Sequence, residues 1–251
     1  MNAYSIVCAL FVSAAVSTAA AQTEVEHLYG SALWTEKTAE VTGAYTIERH
    51  DDELVLRLSD DFSTKKAPDL KLVLSPLSIK EANKKNALEG GLVLGNLVSH
   101  EGAQSFVIPT GTDFEAYQTV LIHCEKYTKL WAAAPLSAGE LLAHGSSWTK
   151  KAQKVKGSYE IVRDGDRVVL RLGDRFKTKK APDLKLVLSP HSVKDASAKN
   201  ALDGGLVIAP LASPKGAQEY QLPEGVDLAL YNTLLIHCEQ YTKLWGAVAL
   251  R

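Results

Sequence analysis

Residues 62–76 read Phe-Ser-Thr-Lys-Lys-Ala-Pro-Asp-Leu-Lys-Leu-Val-Leu-Ser-Pro, and residues 176–190 repeat them with one change, Ser63 to Lys177. The offset is 114 residues. It holds without a gap from Trp34/Trp148 through Gly43/Gly157, Gly90/Gly204, Pro109/Pro223 and Cys124/Cys238 to Trp131/Trp245. About 60 of the 104 positions from Trp34 to Ser137 equal their partners, far above chance self-similarity. Solenoid units run only about 20–50 residues, so a period this long is a whole domain. The chain reads as two tandem copies of one domain, at 24–137 and 138–251. The connector near 135–147 holds no long flexible stretch, so the copies are expected to touch.

Inside the repeated stretch Leu70, Leu72 and Leu74 alternate with Lys71, Val73 and Ser75. Tyr45 and Ile47, then Leu54, Leu56 and Leu58, follow the same period of two, which marks strands. Arg163-Asp164-Gly165-Asp166 reads as a hairpin turn, with Gly165 free to take positive φ. Further strands are expected at 92–97, 104–108, 119–124 and 129–134. A short helix is expected over 78–88, with Ser78 as its start and Gly90 as its stop, and another helical turn at 113–117. Seven or eight short strands per copy predict an all-β fold: two tandem antiparallel β-sandwich or barrel-like domains with short helical insertions. Regular crossover helices are missing, which argues against parallel α/β.

Hydrophobic residues make up 46% and charged residues 23%, a globular composition rather than a disordered one. The 28 basic and 29 acidic residues leave a net charge of −1, which gives no electrostatic case for nucleic acid. Residues 5–17 form an uncharged apolar run, followed by Thr18-Ala19-Ala20-Ala21-Gln22. That reads as a secretory signal over 1–21, cut after Ala21, although its n-region lacks Lys and Arg. The run is shorter than the roughly 20 residues of a membrane span. Cleavage would remove Cys8 and leave an exported chain, periplasmic or extracellular, with no transmembrane span and two cysteines, Cys124 and Cys238.

Those cysteines sit in the best-matched segment, Leu121-Ile122-His123-Cys124-Glu125-Lys126-Tyr127-Thr128-Lys129-Leu130-Trp131. Its partner, Leu235 to Trp245, differs at one position. On a strand, Cys124 shares a face with Val120 and Ile122, while His123 goes with Thr119 and Leu121. The plain reading is a small buried thiol. Two features favour a functional one: retention in both copies, and free thiols in an oxidising compartment. The strand-end position would let solvent or a prosthetic group reach the sulfur. A Cys124–Cys238 disulfide needs Cα atoms within about 7 Å, which equivalent interior sites of separate domains do not offer. Zinc wants four ligands and blue copper wants two His with Cys, whereas each copy supplies one shared His beside one Cys. Cys-x-x-Cys-His, the mark of covalent haem, is missing. Non-covalent haem, with an axial thiolate or imidazole from Cys124, Cys238, His123 or His237, stays open.

Several features are shared with one family. They are Trp34/Trp148, Gly43-x-Tyr45 and Gly157-x-Tyr159, and Phe62 and Phe176 followed by Ala-Pro-Asp-Leu at 67–70 and 181–184. Leu74-Ser75, Leu97-x-Ser99-x-x-Gly102-x-Gln104, Pro109-x-Gly111-x-Asp113 with Tyr117, and the late Cys124 and Cys238 complete the set. Each copy resembles the electron transfer DM-thirteen domain. The resemblance implies a single functional Cys per domain, acting as a bare thiol or as a ligand to a group such as haem. The family commonly carries an aromatic residue before that Cys, where this chain has His123 and His237. Tyr127, Trp131, Tyr241 and Trp245 are candidates to flank a cofactor, with core packing as the plainer role. Lys65-Lys66-Ala67-Pro68-Asp69 reads as a solvated loop rather than a partner patch. No Ser-His-Asp elbow, P-loop or dinucleotide fingerprint is present, so nothing recognisable supports an enzyme. The sequence therefore points to an exported redox or electron-transfer module serving an envelope partner. The alternative is a binding or structural module with inert cysteines.

Overall fold

The structure is a computed structural model and describes residues 25–250. The expected signal at 1–21, with Cys8, lies outside the described residues. The first copy contains β1 (Val25–Ser31), β2 (Thr35–Glu36), β3 (Val41–Thr42), β4 (Tyr45–His50), β5 (Glu53–Leu58) and β6 (Ser63–Thr64). It continues with β7 (Leu70–Ser75), β8 (Leu92–Asn96), β9 (Gln104–Ile108), β10 (Thr119–Cys124) and β11 (Lys129–Pro135). The second copy contains β12 (Glu140–Gly145), β13 (Thr149–Lys150), β14 (Tyr159–Asp164), β15 (Arg167–Leu172) and β16 (Leu184–Ser189). Then follow β17 (Leu206–Pro210), β18 (Gln218–Gln221), β19 (Thr233–Cys238) and β20 (Lys243–Ala249).

Each copy packs a four-stranded antiparallel sheet on a five-stranded one. The orders are β1-β4-β5-β9 and β2-β11-β10-β7-β8, repeated as β12-β14-β15-β18 and β13-β20-β19-β16-β17. The all-β sandwich expectation therefore holds. Tyr45, Ile47, Leu56 and Ile108 from one sheet meet Leu72, Leu74, Val120 and Ile122 from the other in a single core. The five-stranded sheet also buries its outer face, where Val73, Leu121, Leu130 and Ala133 lie under Ala82 and Ala87 of the 77–91 loop. Burial on both faces explains why β7 and β10 read as almost continuous apolar runs. Gly43 takes φ +81 where its Cα side passes against Phe62; an added Cβ would lie 2.5 Å from the Phe62 Cα. Gly157 does the same at Phe176, so the motif glycine is required by backbone approach.

The expected helix over 78–88 does not form. Ser78 starts a turn, with Glu81 and Ala82 donating to its carbonyl at 3.1 and 3.0 Å. Asn side chains then divert the backbone: Asn86 Oδ1 accepts from the Asn83 amide at 2.8 Å and Asn83 Oδ1 from that of Lys85 at 2.9 Å. Side chains of this kind compete with helical hydrogen bonds. The helical turn expected at 113–117 is present as a 3-10 turn, Phe114–Ala116, capped by Asp113.

The copies meet along β1 and β12. Gly30 donates to the Ser137 carbonyl and Gly139 to that of Leu28, both at 3.0 Å, so the connector zips onto β1. Glu160, where the first copy has Thr46, is fully buried at this seam. Its Oε2 accepts from the Ser31 hydroxyl and the Ala32 amide of the first copy, each at 2.8 Å. Arg171 stands 3.5 Å from Oε1. His144 meets Asp61 at 3.0 Å, Thr35 donates to Asp174 at 3.1 Å, and Arg175 pairs with Glu36. Burial pushes the Glu160 carboxyl above the usual range, against the lowering pull of Ala32, Ser31 and Arg171. A raised folded pKa means a contribution that is complete below the ordinary carboxylate range and is lost as pH rises through the folded value. Glu160→Gln keeps an acceptor for Ser31 and Ala32, so its unfolding free energy should lack this decline when both proteins are titrated with denaturant across pH. Parallel curves would refute the assignment. Glu160→Ala strands the Ala32 amide and should cost about 1–3 kcal/mol.

Candidate functional site: the sealed cysteines

A four-residue loop joins β10 to β11, with Thr128 at φ 47 closing it; Thr242 repeats this at φ 46. Cys124 is the last residue of β10, paired across to Leu70 of β7 and Lys129 of β11. The pleat sends Val120, Ile122 and Cys124 into the core between the sheets. Cys124 and Cys238 are both 0% exposed, and both are free thiols. The strand-end position therefore does not admit solvent, contrary to the sequence-based expectation. The adjoining loop closes over the sulfur.

The lid is the Ala-Pro-Asp-Leu segment. Cys124 Sγ donates to the Pro68 carbonyl at 3.1 Å, and Cys238 Sγ to that of Pro182 at 3.2 Å. Asp69 and Asp183 follow at φ 56 and 54, the left-handed region that L residues occupy at a cost. Their own carbonyls accept from the Glu125 and Glu239 amides, both at 3.1 Å. One short turn thus holds both the thiol and the hairpin above it. The sequence reading took this segment for a solvated loop. The signal that marked it was its identity in both copies.

His123 and His237 lie on the opposite sheet face, 3% and 2% exposed. Each has a buried Nδ1 without a hydrogen-bond partner among the described residues. Burial lowers both pKa values, outweighing the raising effect of Glu125 and Asp69 on His123 and of Glu239 and Asp183 on His237, so the rings are neutral at neutral pH. Outside them, Lys71 bridges Glu125 at 2.6 Å and Asp69 at 3.9 Å. Lys185 does the same with Asp183 at 3.1 Å and Glu239 at 3.3 Å.

The register shifts between Ile122 and His123, leaving Trp131 unpaired as a bulge on β11. Its indole enters the core that holds Cys124, and Nε1 donates to Thr64 at 3.1 Å. Its carbonyl accepts from the amides of Lys37, Thr38 and Ala39 at 3.0–3.2 Å. Trp245 occupies the matching core place, but its buried Nε1 has no partner among the described residues. Tyr127 and Tyr241, each 55% exposed, point away at the hairpin tips. The residues grouped by sequence thus divide three ways: Cys and Trp inside, His on the other face, Tyr outside.

A family model described as Electron transfer DM13 matches residues 34–136 and again 147–250. The chain belongs to the electron transfer DM13 family. No curated protein and no solved structure matches it.

This tandem DM13 chain can be tested for fit to a haem. An axial ligand needs a sulfur or nitrogen with an open side. The DM13 thiols are sealed and hydrogen-bonded to carbonyls, and the neighbouring imidazoles face the other way. As packed, Cys124 and Cys238 do not fit a haem iron. No group of three or more His, Cys, Asp or Glu among the described residues is placed to hold a metal ion. A cleft of about 480 Å³ between the copies is lined by Trp34, Trp148, Lys156 and Arg175, but by neither cysteine.

Sealing has a kinetic consequence. Maleimide should alkylate both thiols at least about 100-fold more slowly in the native protein than in denaturant, because reaction waits on local opening. Asp69→Val puts a β-branched residue in the left-handed region. It should cost about 1–2 kcal/mol in a denaturant titration and speed labelling of Cys124 but not Cys238. Equal acceleration at both cysteines, read by peptide mass, would show that the turn is not the lid.

Proposed function

We propose that this chain is an exported electron-transfer module in which the thiol of each copy, Cys124 and Cys238, is the redox group. The observation that carries this reading is the sealed thiol–carbonyl pair, built twice with the same partners, in a family described by electron transfer. The two copies differ at about two positions in five, yet Cys, Pro, Asp and the adjoining hairpin are kept. Export is supported by the apolar run at 5–17 and its small-residue cut site. No helix among the described residues is long and apolar enough to cross a membrane.

In this reading the thiol acts bare rather than as a haem ligand. One-electron oxidation breaks the S–H bond. The electron passes to a one-electron acceptor on a partner protein, and the proton goes to water admitted when the Glu125–Asp69 contact opens. The carbonyl at Pro68 accepts a hydrogen bond but is far too weak a base to keep the proton, so opening and oxidation are coupled. Trp131 shares the thiol's core.

A second reading is favoured by the 0% exposure itself: a binding or structural module of the envelope whose thiols are inert core residues. Voltammetry of the mature protein adsorbed on an electrode separates the two. The redox reading expects a wave that falls by about half in Cys124→Ser, by about half in Cys238→Ser, and vanishes in the double variant, since the two sites are built alike. No wave in the wild type, or a full wave in the double variant, would leave the inert-core reading standing.

A further inference from the structure

Three lysines converge on the outer side of the second copy. Lys151, Lys194 and Lys243 line a groove of about 600 Å³ whose apolar lining includes Ala152, Ala196 and Leu244. One acid, Asp195, lines it too, and its carboxylate is engaged by the Ser192 hydroxyl at 2.6 Å. The groove is therefore cationic.

The same three places in the first copy carry Lys37, Lys80 and Lys129. All three groove lysines are kept, as are the exposed Lys65, Lys66 and Lys85, whereas Lys84 and Lys126 become Ala198 and Gln240 in the second copy. Backbone carbonyls hold one ammonium of each set in place: Lys37 Nζ donates to Ile79 at 2.7 Å, and Lys151 Nζ to Lys194 at 3.5 Å. The groove lies on the outer face of the five-stranded sheet, opposite the thiol, but at the same strand end. Lys243 is the cross-strand partner of Cys238, as Lys129 is of Cys124. Tyr241 and Tyr127 stand exposed two residues before them, a residue type enriched where proteins meet.

We propose that this lysine groove, with the matching lysines of the first copy, is a docking surface for the carboxylate-rich face of an electron-transfer partner protein. The nature of that partner rests on the redox reading above. Charge complementarity selects the occupant. The whole chain has a net charge of −1, so an acidic partner gains nothing from the overall field and must be steered by a local patch. Redox encounters use small, weak interfaces, which suits a three-lysine groove beside the cysteine end of the sheet.

The test is a titration of the full mature protein with a peptide of about ten glutamates, at about 50 mM and about 500 mM salt. Binding should be weak, fall steeply with salt, and drop about tenfold or more when the groove lysines of both copies are changed to Glu, and by less when they are changed to Gln. A control with Lys65, Lys66, Lys179 and Lys180 changed to Glu should bind as the wild type does. Equal loss in that control would reduce the effect to general charge and overturn the proposal. Displacement by millimolar inorganic phosphate would also overturn it, in favour of a small-anion site. So would groove-dependent binding to phosphatidylglycerol vesicles without peptide binding, which would mean a lipid surface. Voltammetry of the same wild-type preparation keeps the two ideas apart. Groove-dependent peptide binding by a wild-type protein that gives no voltammetric wave sinks the redox reading alone. A normal wave with charge-independent binding sinks the docking surface alone.

Discussion

The pairing of β7 with β10 is the constraint on which each copy depends. Leu70–Ser75 and Thr119–Cys124 run antiparallel, with Ser75 opposite Thr119 and Leu70 opposite Cys124. Every residue of β10 is buried. One face fills the space between the sheets and the other fills the small core under the 77–91 loop. A slip of one residue would exchange the two faces, moving His123 into the main core and the thiol out of it. Two dry faces make that slip costly, so the position of the sulfur is fixed by the same burial that stabilises the sandwich.

Duplication gives two nearly equal sites, yet the seam between them is not symmetric. Thr46 and Glu160 occupy equivalent places, but only the glutamate reaches across, accepting from Ser31 and Ala32 of the other copy. A buried carboxyl is costly unless its oxygens are met by donors. Ser31 and Ala32 both serve Oε2, while Oε1 has only Arg171 at 3.5 Å and no hydrogen bond among the described residues, in keeping with its raised pKa. The connector hydrogen bonds at Gly30 and Gly139 add a backbone component to the same seam. The two sandwiches are thus tied by specific polar contacts, not merely by a short tether.

Sealing a thiol protects it and also isolates it. In an oxidising compartment an exposed free cysteine is open to disulfide exchange and over-oxidation. Cys124 and Cys238 avoid both through core burial and a carbonyl partner, and the strained Asp69 and Asp183 keep that partner in place. Any chemistry at the sulfur then depends on opening of one turn and one hairpin. The hydrogen bonds that hold them, from Glu125 to Asp69 and from Glu239 to Asp183, are the groups that set how often this occurs.

Much of this was legible in the sequence. The gapless offset announced two copies, and the alternation of Leu70, Leu72 and Leu74 announced strands, because side chains on a strand must alternate between faces. The same rule placed Cys124 with Val120 and Ile122 and set His123 apart. Cap signals alone misled at one place: Ser78 and Gly90 look like helix caps, but the asparagines between them bond nearby backbone instead. Elsewhere local rules failed where distant residues decide. A Pro-Asp step looks like a solvated loop until a thiol from a strand over 50 residues later is found on its carbonyl. Nor does any local pattern tell that Glu160 is buried, since its donors come from the other copy. The sequence by itself determined the duplication, the strand class and the face of each side chain, all set by short-range periodicity. Only the tertiary structure decided that the thiols are closed to solvent, that three lysines of the second copy line one groove, and that one glutamate joins the copies. Each of these depends on contacts between residues far apart in the chain.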